Sequence, residues 1–137
     1  MPSGSIEFVD TNILVYEWDH AAPEKQKVAQ NLVLASYRRL CISSQVAQEF
    51  THTALRKLKM LPSRVEVALG GYRDLRFVQV DLEMVLLANR TAEQSQISFW
   101  DALIVEAAVA GGCKTLWTED LSHGQVIRGV KIKNPFK

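Results

Sequence analysis

Four acidic residues occupy positions where a carboxylate could do chemistry as well as face solvent. Two follow predicted strands and two lie near the start of apolar helices; they are Asp10, Glu49, Asp101 and Asp120. In an open parallel sheet, sites form in the crevice beyond the carboxyl ends of the strands, so these side chains could converge at one edge. Carboxylates within a few ångströms repel one another unless a cation joins them, and oxygen ligands favour Mg²⁺ and Mn²⁺. The pattern is compatible with a divalent-metal site.

Each of these acids also has a purely structural explanation. Asp10 could cap the helix that follows it, and Asp101, three residues after Ser98, fits a capping box. Asp120 could be a turn residue, and Glu49 could be solvated at the edge of an apolar face. Taken singly the structural explanations are preferable, but independent caps have no reason to occupy strand ends and apolar helix starts together. The residues alone leave both interpretations open.

Residues for other catalytic chemistries are missing or scattered. The histidines His20, His52 and His123 show no ligand spacing and no partnered nucleophile. The sequence has neither a G-x-S-x-G motif nor a phosphate-binding loop. The two cysteines, Cys41 and Cys113, lack zinc or disulfide spacing and are expected to be free, buried thiols.

The composition is that of an ordinary globular domain. With 137 residues, 47% hydrophobic and 23% charged, we expect a single domain over 1–137 with a flexible leader at 1–5. No apolar run reaches the roughly 20 residues of a membrane span, and no signal peptide is evident, so a cytoplasmic protein with no membrane contact is expected. The net charge of +1 gives no argument for a polyanionic partner, although local basic groups could bind phosphate.

Short apolar runs alternate with stretches of helical periodicity along the chain. Strands are predicted at residues 6–9, 40–42, 77–80, 115–117 and 130–132. Helices are predicted at 11–16, 23–37, from 43 or 44 onward, from 62 to the glycines at 70–71, at 82–94, and from 98 to the glycines at 111–112. Val28, Leu32 and Ala35 form an apolar stripe in the second helix, and Val85, Leu86 and Ala92 are expected to face inward in the fifth. The alternation predicts an α/β fold with helices on both faces of a mostly parallel central sheet of four to five strands.

Four segments carry a family resemblance. "FVDTNILVY", "QVAQEF", "SFWDALIVEAA" and "LWTEDLSHGQ" occur in the order seen in PIN domains, and the chain resembles the VapC-type ribonuclease toxins of toxin–antitoxin pairs from Ile6 to Phe136. The resemblance implies a PIN-like three-layer α/β/α sandwich. It also implies a site with one or two Mg²⁺ (or Mn²⁺) ions, whose catalytic ligands would be Asp10, Glu49, Asp101 and Asp120. Three polar residues would support these ligands: Thr11, Asn12 and Thr118.

The last motif departs from the family pattern. Many relatives continue as T-x-D-x-D-F, whereas this chain lacks the second downstream acid and has Glu119 beside Asp120. We expect Asp120 to point into the site and Glu119 to point away. Whether Glu119 also takes part in metal binding is left open.

The resemblance further implies a metal-dependent endoribonuclease in which water cleaves RNA to 5′-phosphate and 3′-hydroxyl products. Its partners would be the RNA substrate, a cognate antitoxin protein covering the acidic cleft, and a second copy in a homodimer. One alternative is a catalytically inactive PIN-like module that binds RNA or protein. Another is a haloacid-dehalogenase-like phosphatase with Asp10 as nucleophile, which is disfavoured because the residue two positions later is Asn12 rather than aspartate.

Overall fold

Short strands and helices alternate along the chain in the computed structural model, which describes residues 4–137. Residues 1–3 of the predicted leader therefore lie outside the described residues. The strands are β1 (Glu7–Val9), β2 (Leu40–Ser43), β3 (Arg76–Val78), β4 (Thr115–Trp117), β5 (Val126–Ile127) and β6 (Val130–Lys133). The helices are α1 (Thr11–Tyr16), α2 (Pro23–Ser36), α3 (Ser44–Arg56), α4 (Pro62–Tyr72), α5 (Leu82–Ser95) and α6 (Phe99–Ala110), with a 3₁₀ turn at Tyr37–Arg39.

The sheet has the strand order β3-β2-β1-β4-β6-β5, and its pairs are parallel except β5 with β6. This confirms the predicted mostly parallel α/β fold, with β1 between β2 and β4. Within residues 4–137 the sheet has six strands, one more than the upper end of the expected range. The unpredicted β5 has only two residues, too few to show a periodicity. It reaches β6 through Arg128 and Gly129, whose φ angles of 52° and 79° suit the tight turn of a two-residue hairpin.

Two groups of helices enclose the sheet, as the three-layer prediction requires. Helix α6 lies on β2, β4 and β6, with α5 packed against it. Helix α3 also packs on β2 and contacts α1 and α4, while α1 contacts α2. Because helices cover the sheet, the central strands bury apolar side chains: Phe8, Val9 and Leu116 are fully buried.

Serine and aspartate caps fix the starts of three helices. The Ser43 hydroxyl accepts a hydrogen bond from the amide of Val46 at the start of α3, and Asp81 caps α5. Ser98 caps α6 by accepting from the amide of Asp101. The predicted starts of α3 and α6 are therefore confirmed, and their register is set by hydrogen bonds that satisfy otherwise unpaired amides.

Several predicted strand ends differ from the structure by one residue, and two element ends differ for a visible structural reason. Helix α4 does not end at Gly70 and Gly71 but continues to Tyr72, whose buried ring packs edge-to-face on Phe50 at 5.4 Å. Strand β3 ends at Val78 rather than at residue 80, because the amide of Val80 donates to the hydroxyl of Ser44 instead of to a neighbouring strand.

The buried faces of two helices also differ from the prediction. In α2 the buried positions are Ala29, Val33 and Ser36, whereas Val28 is exposed, so the apolar stripe is offset from the packed face. In α5 the buried positions are Met84, Ala88 and Thr91, and Leu86 is half exposed.

None of the helices within residues 4–137 combines the length and apolar character that a membrane crossing needs.

Candidate active site

Asp10 joins the central strand to the first helix and has both carboxylate oxygens engaged. Oδ1 accepts from the amide of Thr11 at 2.7 Å, so the carboxylate does cap α1. Oδ2 accepts from the hydroxyl of Thr118 at 2.7 Å, across the β1–β4 pair. The capping interpretation of Asp10 is therefore confirmed, and it does not exclude a place in a larger cluster.

Three carboxylates meet beyond the ends of β1 and β4. Asp10, Asp101 and Asp120, hereafter the aspartate cluster, each place one oxygen within 4.8 Å of the others. Asp101 reaches this point from the first turn of α6, where only its backbone amide serves the Ser98 cap. Asp120 follows β4, and its Oδ2 accepts from the side-chain amide of Asn12 at 2.9 Å. Elements distant in sequence thus deliver like charges to one point.

Glu49 lies in the same cleft but outside the aspartate cluster. Its Oε1 accepts from the Thr11 hydroxyl at 2.7 Å, and its Oε2 accepts from the Gln45 amide at 3.2 Å. Thr11 therefore links Glu49 to Asp10, since its amide binds one carboxylate and its hydroxyl the other. The structure brings three of the four predicted acids together and holds the fourth beside them.

The aspartate cluster is electrostatically strained as it stands. Burial raises the pKa of Asp10 to about 7, although the hydrogen bonds from Thr118 and Thr11 act in the opposite direction. The charges of Asp120 and Glu49 contribute to the same rise. Partial burial, then the charge of Asp101, raise the pKa of Asp120. A cation among these oxygens would relieve both burial and repulsion.

Glu119 is directed away from the aspartate cluster. Its Oε1 accepts from Lys25 Nζ at 2.8 Å and its Oε2 from the Tyr16 hydroxyl at 2.7 Å. The Lys25 ammonium also lies over the rings of Tyr16 and Phe136, 4.9 and 5.0 Å from their centroids. Burial opposes ionisation of Glu119, but the hydrogen bonds from Lys25 and Tyr16 outweigh it and lower the pKa of this carboxyl.

The predicted supporting residues hold the aspartates in place. Thr118 is fully buried, and its hydroxyl donates to Asp10 while accepting from the backbone amide of Asp120 at 3.1 Å. Asn12 donates to Asp120, and its Oδ1 is buried without a hydrogen-bond partner within residues 4–137.

The donor set fits a hard divalent cation. Its three converging groups are all carboxylates, with no thiolate or imidazole among them, which favours Mg²⁺ or Mn²⁺ over zinc. Asn12, whose buried amide oxygen has no hydrogen-bond partner within residues 4–137, is among the residues that line the same cleft. The residues present therefore match the ion that the sequence predicts.

The aspartate cluster lies in a cleft of about 630 Å³, whose walls include residues that were not predicted. Gln45 and His52 come from the α3 face that carries Glu49, and Lys57 follows the end of that helix. Trp100 directly precedes Asp101 on α6. The α3 residues had a detectable signal, because positions four before and three after Glu49 share its helical face.

Comparison with known proteins identifies the family. The PIN domain family model matches residues 8–127. The chain belongs to the PIN-domain family. No curated protein sequence matches it.

Solved structures show the same fold. The toxin–antitoxin complex from Klebsiella pneumoniae aligns with a TM-score of 0.71 and 19% identity, covering 97% of this chain and 99% of that chain. The DNA-bound VapBC from Salmonella typhimurium aligns with a TM-score of 0.69 and 20% identity, covering 96% and 99%. VapC20 of Mycobacterium tuberculosis, a toxin that cleaves the sarcin-ricin loop, aligns with a TM-score of 0.64 and 16% identity, covering 80% and 86%. The predicted resemblance to PIN domains and VapC toxins is thus confirmed, and at these identities the structural likeness concerns the fold.

Proposed function

We propose that this PIN-domain protein is a metal-dependent endoribonuclease and the toxin of a toxin–antitoxin pair. The observation that carries the proposal is the convergence of Asp10, Asp101 and Asp120 in the cleft of a PIN fold. A protein that only binds RNA has no need to concentrate negative charge where the phosphates must approach. The similarity to toxin structures, one of which cleaves the sarcin-ricin loop, supports the same proposal.

The aspartate cluster would hold one or two Mg²⁺ or Mn²⁺ ions. When bound, such an ion lowers the pKa of water and stabilises charge on the leaving oxygen of a phosphodiester. Thr118 fixes Asp10 and the Asp120 backbone, and Asn12 fixes the Asp120 side chain. These partners set the direction of the carboxylate oxygens before any ion or substrate arrives.

Glu49 would be the fourth carboxylate of the metal site, beside the aspartate cluster. Its carboxylate borders the cleft and is held by Thr11 and Gln45, so its position is fixed relative to Asp10. In the hydrolysis, the water oxygen bonds to phosphorus while the bond from phosphorus to O3′ breaks. One proton of the water is carried by the leaving O3′, which gives 5′-phosphate and 3′-hydroxyl products.

Three further assignments rest on the resemblance to toxins. The cognate antitoxin would cover the acidic cleft, two copies would form a homodimer, and the protein would act in the cytoplasm on cellular RNA. Buried, free Cys41 and Cys113 are consistent with a reducing compartment.

The test is cleavage of mixed cellular RNA by the purified protein with Mg²⁺, Mn²⁺ or EDTA. We expect cutting with either metal, none with EDTA, and none with Asp10→Asn or Asp101→Asn. Asp74→Asn is the matched control, because Asp74 is exposed and lies outside the cleft.

Undiminished metal-dependent cutting by both cluster variants would sink the assignment of the site. If the unmodified protein cuts nothing, yet Mn²⁺ raises its melting temperature, the result would favour an inactive binding module. A covalent aspartyl-phosphate on Asp10 would instead support a phosphatase.

A further inference from the structure

We propose that Trp100 is a stacking platform for an unpaired nucleobase of the RNA, next to the phosphate that is cut. This inference deepens the proposed function and rests on it. Trp100 is the second residue of α6, directly precedes Asp101, and lines the cleft of the aspartate cluster. A base stacked on the indole ring of Trp100 would therefore lie beside Asp101, a predicted metal ligand.

The exposure of Trp100 sets it apart from the other tryptophans. Its side chain is 62% exposed, although the chain has an apolar core that could bury it. Trp18 and Trp117 are half-buried. The indole N–H of Trp18 donates to the Tyr72 hydroxyl at 3.0 Å, and that of Trp117 donates to the Glu7 carboxylate at 2.6 Å. Within residues 4–137, the indole N–H of Trp100 makes no such bond. Packing therefore does not account for a tryptophan at this position.

The ring is nevertheless held in position. Phe99 contacts it edge-to-face, with centroids 5.1 Å apart and planes at 74°. The carbonyl of Trp100 accepts from the side-chain amide of Gln45 at 3.3 Å, which ties the start of α6 to α3 on the other wall of the cleft. A platform ordered in advance loses less conformational entropy when a ligand arrives.

The charge of the cleft argues that an RNA ligand needs such a contact. Nucleic-acid binding usually draws on phosphate contacts to basic side chains, but here the floor of the cleft is acidic and the chain carries a net charge of only +1. On the cleft walls, His52 and Lys57 are the basic side chains available to a phosphate. Base stacking on an aromatic ring is independent of phosphate charge and tolerates any base. We therefore expect stacking on Trp100 to supply much of the affinity.

The test measures binding of a labelled oligoadenylate of eight ribonucleotides in the Asp10→Asn background, where cutting does not interfere. Adding Trp100→Ala should weaken binding by about 5- to 150-fold, the range for loss of one stacked base, and Trp100→Phe should weaken it less. The matched control is Leu34→Ala, which removes an apolar side chain that is 81% exposed on α2. It should leave binding unchanged.

A backbone of the same length with abasic riboses isolates the base contact. Trp100→Ala should not change the affinity for the abasic strand. Tryptophan emission should fall when the base-bearing strand is added. Addition of the abasic strand should not lower the emission. The emission of Trp100→Phe, which comes from Trp18 and Trp117, should not fall with either strand.

The proposal would be overturned if Trp100→Ala left the affinity for the base-bearing strand unchanged. It would also be overturned if Trp100→Ala lowered the affinity for the base-bearing and abasic strands equally. Loss of binding to a protein partner with unchanged RNA binding would instead assign Trp100 to a protein interface. RNA cleavage by the unmodified protein is scored separately. A protein that cuts RNA but shows no base-dependent effect of Trp100 overturns the stacking role alone, and one that neither cuts nor binds RNA removes both proposals.

Discussion

Helix α6 carries an acidic side chain at each of two very different sites, Asp101 in its first turn and Glu106 in its middle. Glu106 is 2% exposed, and its Oε2 accepts from Thr91 at 2.6 Å and from Arg128 at 2.9 Å. Its Oε1 accepts from the second guanidinium nitrogen at 3.0 Å. Burial opposes ionisation, but Arg128 and Thr91 outweigh it, so the pKa of Glu106 is lowered.

Asp10, the most buried member of the aspartate cluster, is 5% exposed and so about as buried as Glu106. Its hydrogen-bond donors, Thr11 and Thr118, are neutral, and burial raises its pKa to about 7. The difference between the two regions is therefore the source of the cation rather than the depth of burial. The fold supplies an arginine to Glu106, whereas under the proposed function the aspartate cluster would take its cation from solution.

The largest effect is expected from adding or removing that cation. With Mn²⁺ at about 100 times its Kd, the unmodified protein should be stabilised by roughly 2.7 kcal/mol. Asp10→Asn should abolish this gain, yet should melt higher than the unmodified protein in EDTA, because it removes a buried charge from a repulsive group. Thermal unfolding with Mn²⁺ or EDTA measures both. An Asp10→Asn protein that still gains stability from Mn²⁺ would show that the ion binds elsewhere.

Disrupting the ion pair between Glu106 and Arg128 should lower the free energy of unfolding without changing metal binding. Glu106→Gln removes the charge that Arg128 pairs with and leaves a buried amide facing its N–H groups, at a cost of about 2–3 kcal/mol. Urea unfolding of the metal-free protein checks this, with exposed Glu93→Gln on the same layer of helices as control. Mn²⁺ should still stabilise the Glu106→Gln protein as much as it stabilises the unmodified protein. Loss of this stabilisation would contradict the view that the two acidic regions are independent.

Glu17 shows that a carboxyl group can have a raised pKa without belonging to the aspartate cluster. Burial raises the pKa of Glu17 to about 7, against the hydrogen bond from the Tyr72 hydroxyl at 2.7 Å, but this carboxylate lies outside the aspartate cluster. The folded protein binds this proton more tightly than the unfolded chain, so its contribution is complete below pH 4.5 and is lost as pH rises through 7.

The corresponding variant is Glu17→Gln, which cannot ionise. It should match the unmodified protein at pH 4.5 and exceed it by about 1–2 kcal/mol at pH 8, in urea unfolding without metal. Its Mn²⁺ gain should equal that of the unmodified protein. Parallel stability–pH curves for the two proteins would rule out this titration.

Much of the candidate site could be predicted because the relevant signals are local. Asp10 directly follows an apolar run and Asp120 comes shortly after another, so both are located beyond strand ends, and parallel topology then places both at one edge. The Ser98 cap fixes where α6 begins and so the place of Asp101. These features depend on chain positions that differ by a few residues, which the sequence displays directly.

The remaining features depend on contacts between distant segments. Glu49 lies beside the cluster rather than in it because Thr11 and Gln45 hold its oxygens. Thr91 occupies a buried position of α5 because it donates to Glu106 on α6, so the inward face of α5 cannot be read from hydrophobicity alone. The exposure of Trp100 likewise reflects how α3 and α6 open into a cleft.

The hydrogen bond between Asp10 and Thr118 joins residues 108 positions apart and has a consequence for synthesis of the chain. Strand β1 is made first, and its parallel partner β4 and the loop carrying Asp120 are made more than 100 residues later. Chains emerge from the N-terminus, so a partly made chain lacks one of its three clustered carboxylates. Under the proposed function, a nascent chain would have no complete aspartate cluster, and so no nuclease site, until Asp120 has left the ribosome and β4 has paired with β1.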